Sequence, residues 1–443
     1  MIRTNLTLRG ALAAALLLAV LLVLPGAAAA QSDYVLTAPH WGARQTAAVE
    51  AAGGTVLYGH PGTGIGLVTS AAPDFLERVL DGNAFQAGAP DVQVQWQPEL
   101  PTEQAITPGD EPFFPLQWNV QSMEAPAAWA AGCTGAGVRV AILDGGIHDQ
   151  HVDLDDNLDT SCSVSFVPGE PFNSDTGTFW HGTHVAGIVG AEDNGAGTIG
   201  VAPEATLLGV KVLHGGTGTF GWLIGGILYA SDPASFGFGD CDQADIINMS
   251  LGAAFFKSAT GGGQLVGALA QAVNFAASQG VLVVSAAGNN GLDFGQYFDL
   301  TFVPAESGSG LAISATGPVD FANGGTNFRR PASYSNYGEG TVTVAAPGGD
   351  FTLAPVGLWF YDMVLSTCRG GATSTDSYCF AAGTSMASPA AAGVAALIKG
   401  ANPGISLGAL KTSLQQSADD EGPLGNDEFY GHGFVNAYRA CTE

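Results

Sequence analysis

The sequence predicts an α/β fold, a doubly wound and mostly parallel sheet, preceded by a small ferredoxin-like α+β block. Short apolar runs alternate with helical stretches in the larger part, and such runs suit parallel strands that helices cover on both faces. The predicted strands are Val138–Leu143, Leu207–Leu213, Ala244–Met249, Val281–Ala286 and Leu311–Thr316. Between them, Trp222–Ser231 and Gln264–Gln279 have helix-like composition, and this alternation is typical of doubly wound domains.

The N-terminal block, residues 31–98, has the predicted order β-α-β-β-α-β of a ferredoxin-like domain. Its predicted elements are strands at Tyr34–Thr37, Thr55–Tyr58, Ile65–Thr69 and Val92–Trp96, and helices at Ala43–Ala52 and Pro73–Leu80. A stretch rich in Pro, Glu and Thr follows and is predicted to be a linker over residues 99–112. Residues 113–443 then form the main domain.

The composition is that of a globular protein with an acidic surface. Of the 443 residues, 46% are hydrophobic and 12% are charged, whereas disordered chains are rich in charge and poor in apolar residues. The formal net charge is −27, which repels phosphate backbones and argues against nucleic acid as a partner. Acidic surfaces attract hard cations such as Ca²⁺, although most of this charge has a simpler interpretation as an aid to solubility.

Residues 1–30 have the three parts of a secretory signal segment. Arg3 and Arg9 give a positive start, Ala11–Pro25 is an apolar run, and alanines at positions 28–30 form a small-residue cleavage site. The apolar run is short for a membrane-spanning helix, although an uncleaved anchor is the alternative. We therefore expect a secreted protein, extracellular or periplasmic, that makes no membrane contact once the segment is removed.

The chain has six cysteines, an even number that suits disulfides in an exported protein. Fifteen pairings are open, and Cys368–Cys379 is favoured because it closes a short loop. The partners of the other cysteines stay open: Cys133, Cys162, Cys241 and Cys441. Their spacing matches no zinc template, which favours structural bridges.

Three motifs carry reactive side chains at predicted strand ends or helix starts. Asp144 leaves an apolar strand into two glycines, His181 begins the motif His-Gly-Thr-His-Val-Ala-Gly, and Ser385 lies in Gly-Thr-Ser-Met-Ala-Ser-Pro. A doubly wound sheet gathers groups at its carboxyl edge, and Ser385 at a helix N-terminus would meet N–H groups that stabilise an anion. Taken singly, each has a structural alternative: a turn-capping Asp, a packed His and a helix N-cap.

Together, these motifs and their chain order Asp, His, Ser resemble the subtilisin family of serine proteases. The resemblance runs from about residue 110 to the C-terminus. It implies an endopeptidase in which Ser385 is the nucleophile, His181 the general base and Asp144 the carboxylate that orients it.

Two further positions belong to this comparison. Asn289, in Ala-Ala-Gly-Asn-Asn-Gly after a predicted strand, matches the family's side-chain oxyanion donor, and its structural alternative is a turn residue. The family usually has Ser or Thr after the catalytic Asp, whereas this chain has Gly145. That difference removes a hydroxyl beside the carboxylate and leaves the carboxylate itself.

The resemblance also implies that a peptide substrate lies as a strand between two edges of the enzyme. The residues that match these edges and the S1 and S4 pockets are Gly216, Thr217, Gly218, Phe220, Ser250, Leu251, Gly252, Ala286, Ala287 and Gly288. The S1 walls, Ser250–Gly252 and Ala286–Gly288, carry no charge, which implies an apolar or broad P1 preference. Phe220 and Leu251 match the apolar S4 lining, although either suits an ordinary core equally well.

A structural Ca²⁺ site is implied in the same way. Residues 192–198 interrupt the helix after His181 and match the family's calcium loop. The expected ligands are the Asn194 side chain, backbone carbonyls of Glu192, Ala196 and Thr198, and the carboxylates of Asp153 and Asp110. Calcium takes six to eight oxygens of this kind. The structural alternative is a glycine-rich surface turn.

Residues 31–98 resemble the family's propeptide in position, size and order of elements. Such a propeptide assists folding and then inhibits, with its C-terminal tail in the cleft; a separate binding domain is the alternative. We therefore expect protein or peptide substrates, the propeptide as an intramolecular inhibitor, and a monomer. Two other functions compete: a binding protein on an inactive protease fold, and a serine esterase, which the absence of a Gly-x-Ser-x-Gly motif disfavours.

Overall fold

The structure is a computed structural model that describes residues 31–97, 100–105, 113–176, 179–256, 261–296, 300–369 and 376–443. The predicted signal segment, most of the predicted linker and the expected calcium ligand Asp110 lie outside these residues. Within the described ranges, no helix combines the length and apolar character that a bilayer span needs.

The N-terminal unit is a four-stranded antiparallel sheet with two helices. Its elements are β1 (Ser32–Thr37), α1 (Ala43–Ala51), β2 (Gly54–Gly59), β3 (Ile65–Ser70), α2 (Phe75–Asp81) and β4 (Ala87–Pro90). The strand order β2-β3-β1-β4 is the ferredoxin-like one that the sequence predicts. Val49 of α1 and Phe75 and Val79 of α2 lie in a hydrophobic core that belongs to this unit alone.

The last strand predicted for this unit forms, but it pairs with another sheet. The sequence places it at Val92–Trp96, whereas Ala87–Pro90 pairs antiparallel with Tyr34–Thr37 of β1. The strand that forms consists of small residues because neighbouring side chains fill the space around it. A β-carbon on Gly88 would lie 2.5 Å from Leu36 Cδ2.

Two short strands, β5 (Gln93–Gln95) and β6 (Thr102–Ala105), follow the N-terminal unit and pair with the main domain instead. β5 is antiparallel to Thr217–Thr219. β6 is antiparallel to Tyr378–Ala381. The chain therefore pairs its backbone with the main domain twice, first through β5 and then through β6.

The elements of the main domain follow in chain order. They are α3 (Trp118–Ser122), α4 (Ala125–Ala130), β7 (Arg139–Asp144), β8 (Val164–Ser165), α5 (His181–Gly190), β9 (Thr206–Lys211), β10 (Thr217–Thr219), α6 (Phe220–Ser231), β11 (Ile246–Met249), β12 (Ala253–Phe256), α7 (Gly262–Ser278), β13 (Leu282–Ala286), β14 (Leu300–Val303), β15 (Leu311–Thr316), β16 (Val342–Pro347), β17 (Val364–Cys368), β18 (Ser377–Ala381), α8 (Thr384–Ala401), α9 (Leu407–Gln416) and α10 (Ala437–Thr442).

Seven of these strands form one sheet in the order β16-β15-β13-β11-β7-β9-β8, and the neighbouring pairs are parallel. The five strands predicted from apolar runs are the inner five, β7, β9, β11, β13 and β15. The predicted doubly wound α/β class is therefore confirmed. The sequence does not predict the two edge strands, of which β8 is only two residues long.

Helices cover both faces of this sheet and create two separate cores. Val185 of α5 and Val394 of α8 lie in the core on one face. Ile227 of α6 and Leu269 of α7 lie in the core on the other. This layering brings the carboxyl ends of β7, β11 and β13 and the N-termini of α5 and α8 to one edge, where the candidate residues lie.

Three disulfides link the described residues. The favoured pair Cys368–Cys379 is confirmed, and it joins β17 to β18. The cysteines left open by the sequence form Cys133–Cys441 and Cys162–Cys241. The first of these links ties the start of the main domain to α10, so both ends of that domain are held together.

Candidate active site

Asp144 is the last residue of β7 and is almost fully buried, with 1% of its surface exposed. The backbone N–H of Gly145 donates to its Oδ1 at 2.7 Å. The apolar strand followed by a glycine turn thus places this carboxyl group at the edge of the sheet.

His181 begins α5 and faces Asp144. Its Nδ1 lies 2.9 Å from Asp144 Oδ2 and 3.0 Å from Oδ1. Gly182 permits this contact, because a β-carbon there would lie 2.4 Å from Gly146 O and 3.0 Å from the Asp144 β-carbon. Burial disfavours the charged ring, but the Asp144 carboxylate and, after it, Asp175 outweigh burial, so the pKa of His181 is raised.

Ser385 lies in the first turn of α8, mostly buried, at the cleft that His181 also lines. Its position after β18 and Gly383 follows from the small residues of the motif, which allow a tight entry into the helix. Among the described residues, Ser385 Oγ donates to Ser250 O at 3.2 Å. Ser250 Oγ in turn donates to Ser385 O at 2.7 Å.

Asn289 follows β13 and lines the same cleft as Ser385. Its Oδ1 accepts hydrogen bonds from Thr384 N and Thr384 Oγ1, both at 2.8 Å. This oxygen is therefore occupied by hydrogen bonds to Thr384, the residue before Ser385. The amide nitrogen Nδ2 is left as the donor.

The two backbone edges that are expected to hold substrate, Gly216–Gly218 and Ser250–Gly252, bind a segment of this chain itself. Gly216 O accepts from Trp96 N at 2.9 Å, and Gly252 N donates to Trp96 O at 2.9 Å. Thr217 and Gly218 pair with β5. The tail that follows the N-terminal unit thus lies as a strand between the edges that the sequence predicts.

Trp96 fills the pocket predicted as S4. Its ring is fully buried and lies 5.1 Å from the ring of Phe220 and 5.9 Å from that of Phe255. Leu251 belongs to the same hydrophobic core. The indole N–H donates to Gly218 O at 3.1 Å. Phe255 is an additional member of this pocket that sequence reasoning missed.

Comparison with known proteins identifies the family of this chain. The sequence profile of the Subtilase family matches residues 135–433, more than half of the chain. The chain belongs to the subtilase family. It is 38% identical over 326 residues to Subtilisin Savinase from Lederbergia lenta, and the match covers 73% of this chain and 98% of that protein.

Solved structures extend the likeness to the fold. A protease from Pseudoalteromonas arctica PAMC 21717 gives a TM-score of 0.61 at 32% identity, covering 76% of this chain and 99% of its own. The epidermin leader peptide processing serine protease from Staphylococcus aureus gives a TM-score of 0.73 at 20% identity, covering 93% and 98%; at this identity it shows the fold alone. This subtilase is a serine endopeptidase.

Asp175 is a residue of this subtilase's cleft that sequence reasoning missed. Thr176 N donates to its Oδ1 at 2.7 Å. Burial raises the pKa of Asp175 to about 7, although the charge of Lys211 lowers it; Asp144 adds to the rise. Two features of the sequence could have pointed to Asp175. It lies six residues before His181, and position 145, where the family usually has Ser or Thr, is Gly.

Lys211 is a second residue that sequence reasoning missed. It is fully buried at the end of β9, in register with Asp144 of β7. Its Nζ donates to Gly145 O and, at 2.8 Å, to Leu213 O, and lies 3.1 Å from Glu170 Oε2. A buried ammonium with these partners holds the turn after Asp144 in place.

The structure brings Asp153 to the loop expected to bind calcium. Thr198 N and Thr198 Oγ1 donate to Asp153 Oδ2 at 2.8 and 3.3 Å, while Asp153 Oδ1 is buried and has no hydrogen-bond partner among the described residues. Burial raises the pKa of Asp153 to about 6, against the lowering effect of the Thr198 hydrogen bonds.

Other side-chain oxygens of the loop already accept hydrogen bonds from nearby backbone N–H groups. Asn194 Oδ1 accepts from Ala196 N at 2.9 Å, and Glu192 Oε1 accepts from Asp156 N at 2.9 Å. No group of three or more His, Cys, Asp or Glu side chains in the described part of the chain could hold a metal ion. A cation here would therefore depend on backbone carbonyls together with Asp153 and Asn194.

Proposed function

We propose that this subtilase is a secreted endopeptidase, made as a precursor, that cleaves peptide bonds through an acyl-enzyme on Ser385. The observation that carries the proposal is the meeting of Asp144, His181, Ser385 and Asn289 at one cleft, beside edges that already hold an extended peptide. An activated serine, a base, an orienting carboxylate and an oxyanion donor are the parts that acyl transfer needs.

In the proposed mechanism, Ser385 Oγ attacks the scissile carbonyl carbon while His181 Nε2 takes its proton. Asp144 stabilises the imidazolium through the bond to Nδ1. His181 then gives the proton to the leaving amine, the C–N bond breaks, and water hydrolyses the ester by the same route. The Ser385 hydroxyl must turn from Ser250 O to His181 for this step, and catalytic hydrogen bonds often tighten only in the substrate complex.

The developing oxyanion would meet two donors, Asn289 Nδ2 and the backbone N–H of Ser385. Thr384 supports the first, because its two hydrogen bonds to Asn289 Oδ1 fix the amide plane. The N-terminus of α8 supports the second through its dipole. Donors that are already oriented stabilise the charge without reorganisation during the reaction.

We propose that protein and peptide substrates add a strand between Gly216–Gly218 and Ser250–Gly252. The pairing of β5 with β10 and the bond from Gly252 to Trp96 support this, since they are the main-chain contacts that an added strand makes. The uncharged walls Ser250–Gly252 and Ala286–Gly288 support an apolar P1 residue, because a buried charge would find no partner there.

We further propose that residues 31–98 are an inhibitory propeptide, that the maturation site lies within 99–112, and that residues 113–443 act as a secreted monomer. The Gln97 side chain supports inhibition, because its Nε2 donates to Asp144 Oδ2 at 3.1 Å and lies 3.0 Å from His181 Nδ1. A group in that position competes for the hydrogen-bonding atoms that the triad needs.

Calcium is proposed as a structural ion at Asp153 and the loop 192–198. The partnerless buried Asp153 Oδ1 supports it, because such an oxygen is costly unless a cation or donor meets it. The ligands would be this carboxylate, the Asn194 side chain and the carbonyls of Glu192, Ala196 and Thr198, with Asp110 as the further predicted carboxylate. When bound, the ion would neutralise these oxygens and tie the loop down.

A labelled fluorophosphonate tests the proposal, because only an activated serine reacts with it. We expect the autoprocessed chain to take up one label on Ser385 and the Ser385→Ala chain to take up none and to stay unprocessed. Ser278→Ala, which removes an exposed hydroxyl at the end of α7, is the matched control and should label normally. Equal casein hydrolysis by folded Ser385→Ala would refute the proposed nucleophile.

A further inference from the structure

A phenylalanine ring lies between the two walls expected to form S1. A β-carbon on Gly252 would lie 2.4 Å from Phe302 Cε1, and one on Gly288 would lie 2.4 Å from Phe302 Cζ. Ordinary contacts between carbons are about 3.5–4.0 Å. The ring therefore touches the backbone of both walls where only glycine leaves room for it.

The direction of these contacts shows that the Phe302 ring fills the gap between the two walls. The missing β-carbons of Gly252 and Gly288 both point at Phe302, so its ring lies in the gap that separates Ser250–Gly252 from Ala286–Gly288. Consistent with this, none of the described residues that line the open cleft beside Ser385 comes from either wall. The space that a long P1 side chain would enter is occupied by the protein itself.

Phe302 is held in place by its strand. It lies in β14, opposite Ala254 of β12, and only 5% of its surface is exposed. Its N–H donates to Glu306 Oε2 at 2.6 Å, and its carbonyl accepts from Glu306 N at 2.8 Å. The ring also contacts Phe294, with centroids 6.1 Å apart. It is thus a fixed part of the pocket floor.

We infer that Phe302 closes the depth of S1 and restricts this protease to substrates with a small residue, Gly, Ala or Ser, at P1. The inference rests on the proposed function and narrows its apolar P1 preference. A P1 Leu or Phe would have to displace a ring packed between two backbone walls, and forcing extra atoms into a packed site is unfavourable. A small P1 side chain needs only the space next to Ser385.

The test uses internally quenched peptides that differ only at P1, with Ala, Ser, Leu, Phe or Lys, and the enzyme obtained by autoprocessing of the full chain. We expect kcat/KM for P1 Ala to exceed that for P1 Phe by roughly 10- to 100-fold. Phe302→Gly should raise kcat/KM for P1 Phe by a similar factor and change that for P1 Ala little. Phe238→Ala, which removes a partly exposed ring between α6 and β11, should keep the wild-type order.

The outcomes separate this inference from the proposed function. Cleavage of the Ala peptide by wild type, and its loss in Ser385→Ala, test the function alone. A wild-type enzyme that cleaves P1 Phe as fast as P1 Ala overturns the inference about Phe302 and leaves the function standing. If Phe302→Gly does not fold, Phe302→Ala takes its place, and the wild-type ratio alone remains decisive.

Discussion

The carboxyl group of Asp175 occupies the space beside Gly145 that a side chain at position 145 would take. Asp175 Oδ2 lies 3.0 Å from the point where a β-carbon on Gly145 would stand, and Oδ1 lies 3.2 Å from it. Members of the family usually carry Ser or Thr at this position. Here Gly145 leaves room for a second carboxyl group next to the pair Asp144 and His181. The position of Asp175 thus accounts for a glycine where the family usually has a side chain.

Asp175→Asn should move the acidic limb of the pH profile of kcat/KM to lower pH. Ionised Asp175 favours imidazolium and so contributes to the raised pKa of His181; without that charge the neutral, basic form of His181 survives to lower pH. The shift should be less than about one unit, because Asp175 contributes less than Asp144 to the raised pKa of His181.

The charged groups that act on Asp175 are Lys211, Asp144 and His181, and all stay in place in this variant. Asp242→Asn removes one exposed carboxylate elsewhere and is the control for net charge. The rate on the alkaline plateau should change little. An unmoved or alkaline-shifted limb in Asp175→Asn would show that this carboxyl group does not influence His181.

The inner strands could be predicted, and the triad could be proposed, because their signals are local. Asp144, His181 and Ser385 each lie in a short motif, and the inner strands are continuous apolar runs. Asp175 and Phe302 could not be predicted in the same way. Their roles depend on which backbone they reach, and that follows from tertiary pairing, such as β12 with β14, which no local pattern records.

The wrong sheet assignment of the strand predicted at Val92–Trp96 has a similar cause. Gln93–Gln95 does form a strand, but its partner is Thr217–Thr219 in another unit. Strand propensity reports whether a segment suits a sheet and is silent about which sheet it joins. Ala87–Pro90, which completes the N-terminal sheet, has small residues and Pro, so its sequence carries little strand signal.

Asn289→Ala should lower kcat by about 10²–10³-fold, the range known for loss of the side-chain oxyanion donor in a subtilisin. KM should change little, because the interaction with the oxyanion exists only in the transition state. Thr384→Val, which loses the hydroxyl bond to Asn289 Oδ1 and keeps the amide, should cost much less. Equal losses in both variants would mean that Asn289 acts by shaping the loop.

Trp96→Ala in the fragment 31–98 should weaken inhibition of the mature enzyme by at least about 30-fold. Buried aromatic anchors at an interface commonly contribute 2 kcal/mol or more, and this one is fully buried against Phe220 and donates to Gly218 O. Leu57→Ala, on the exposed side of β2, is the matched control. The measurement is the inhibition constant from steady-state assays, with circular dichroism to verify that each fragment folds. Unchanged inhibition by Trp96→Ala would show that this pocket does not anchor the inhibitor.

Calcium should raise the melting temperature of the chain without entering the chemistry. A ligand that binds only the folded state stabilises it by mass action, about 2.7 kcal/mol when its free concentration is a hundred times Kd. The measurement is a thermal melt of the Ser385→Ala chain, which cannot digest itself, with calcium and with a chelator. Asp153→Asn should shrink the difference between the two melts, because it removes the charge of a buried carboxylate that contacts the loop 192–198 through Thr198. Asp155→Asn removes an exposed charge two residues away and should keep the full difference. Identical melts with and without calcium, together with no metal by elemental analysis, would mean that Asp153 and this loop form only a turn.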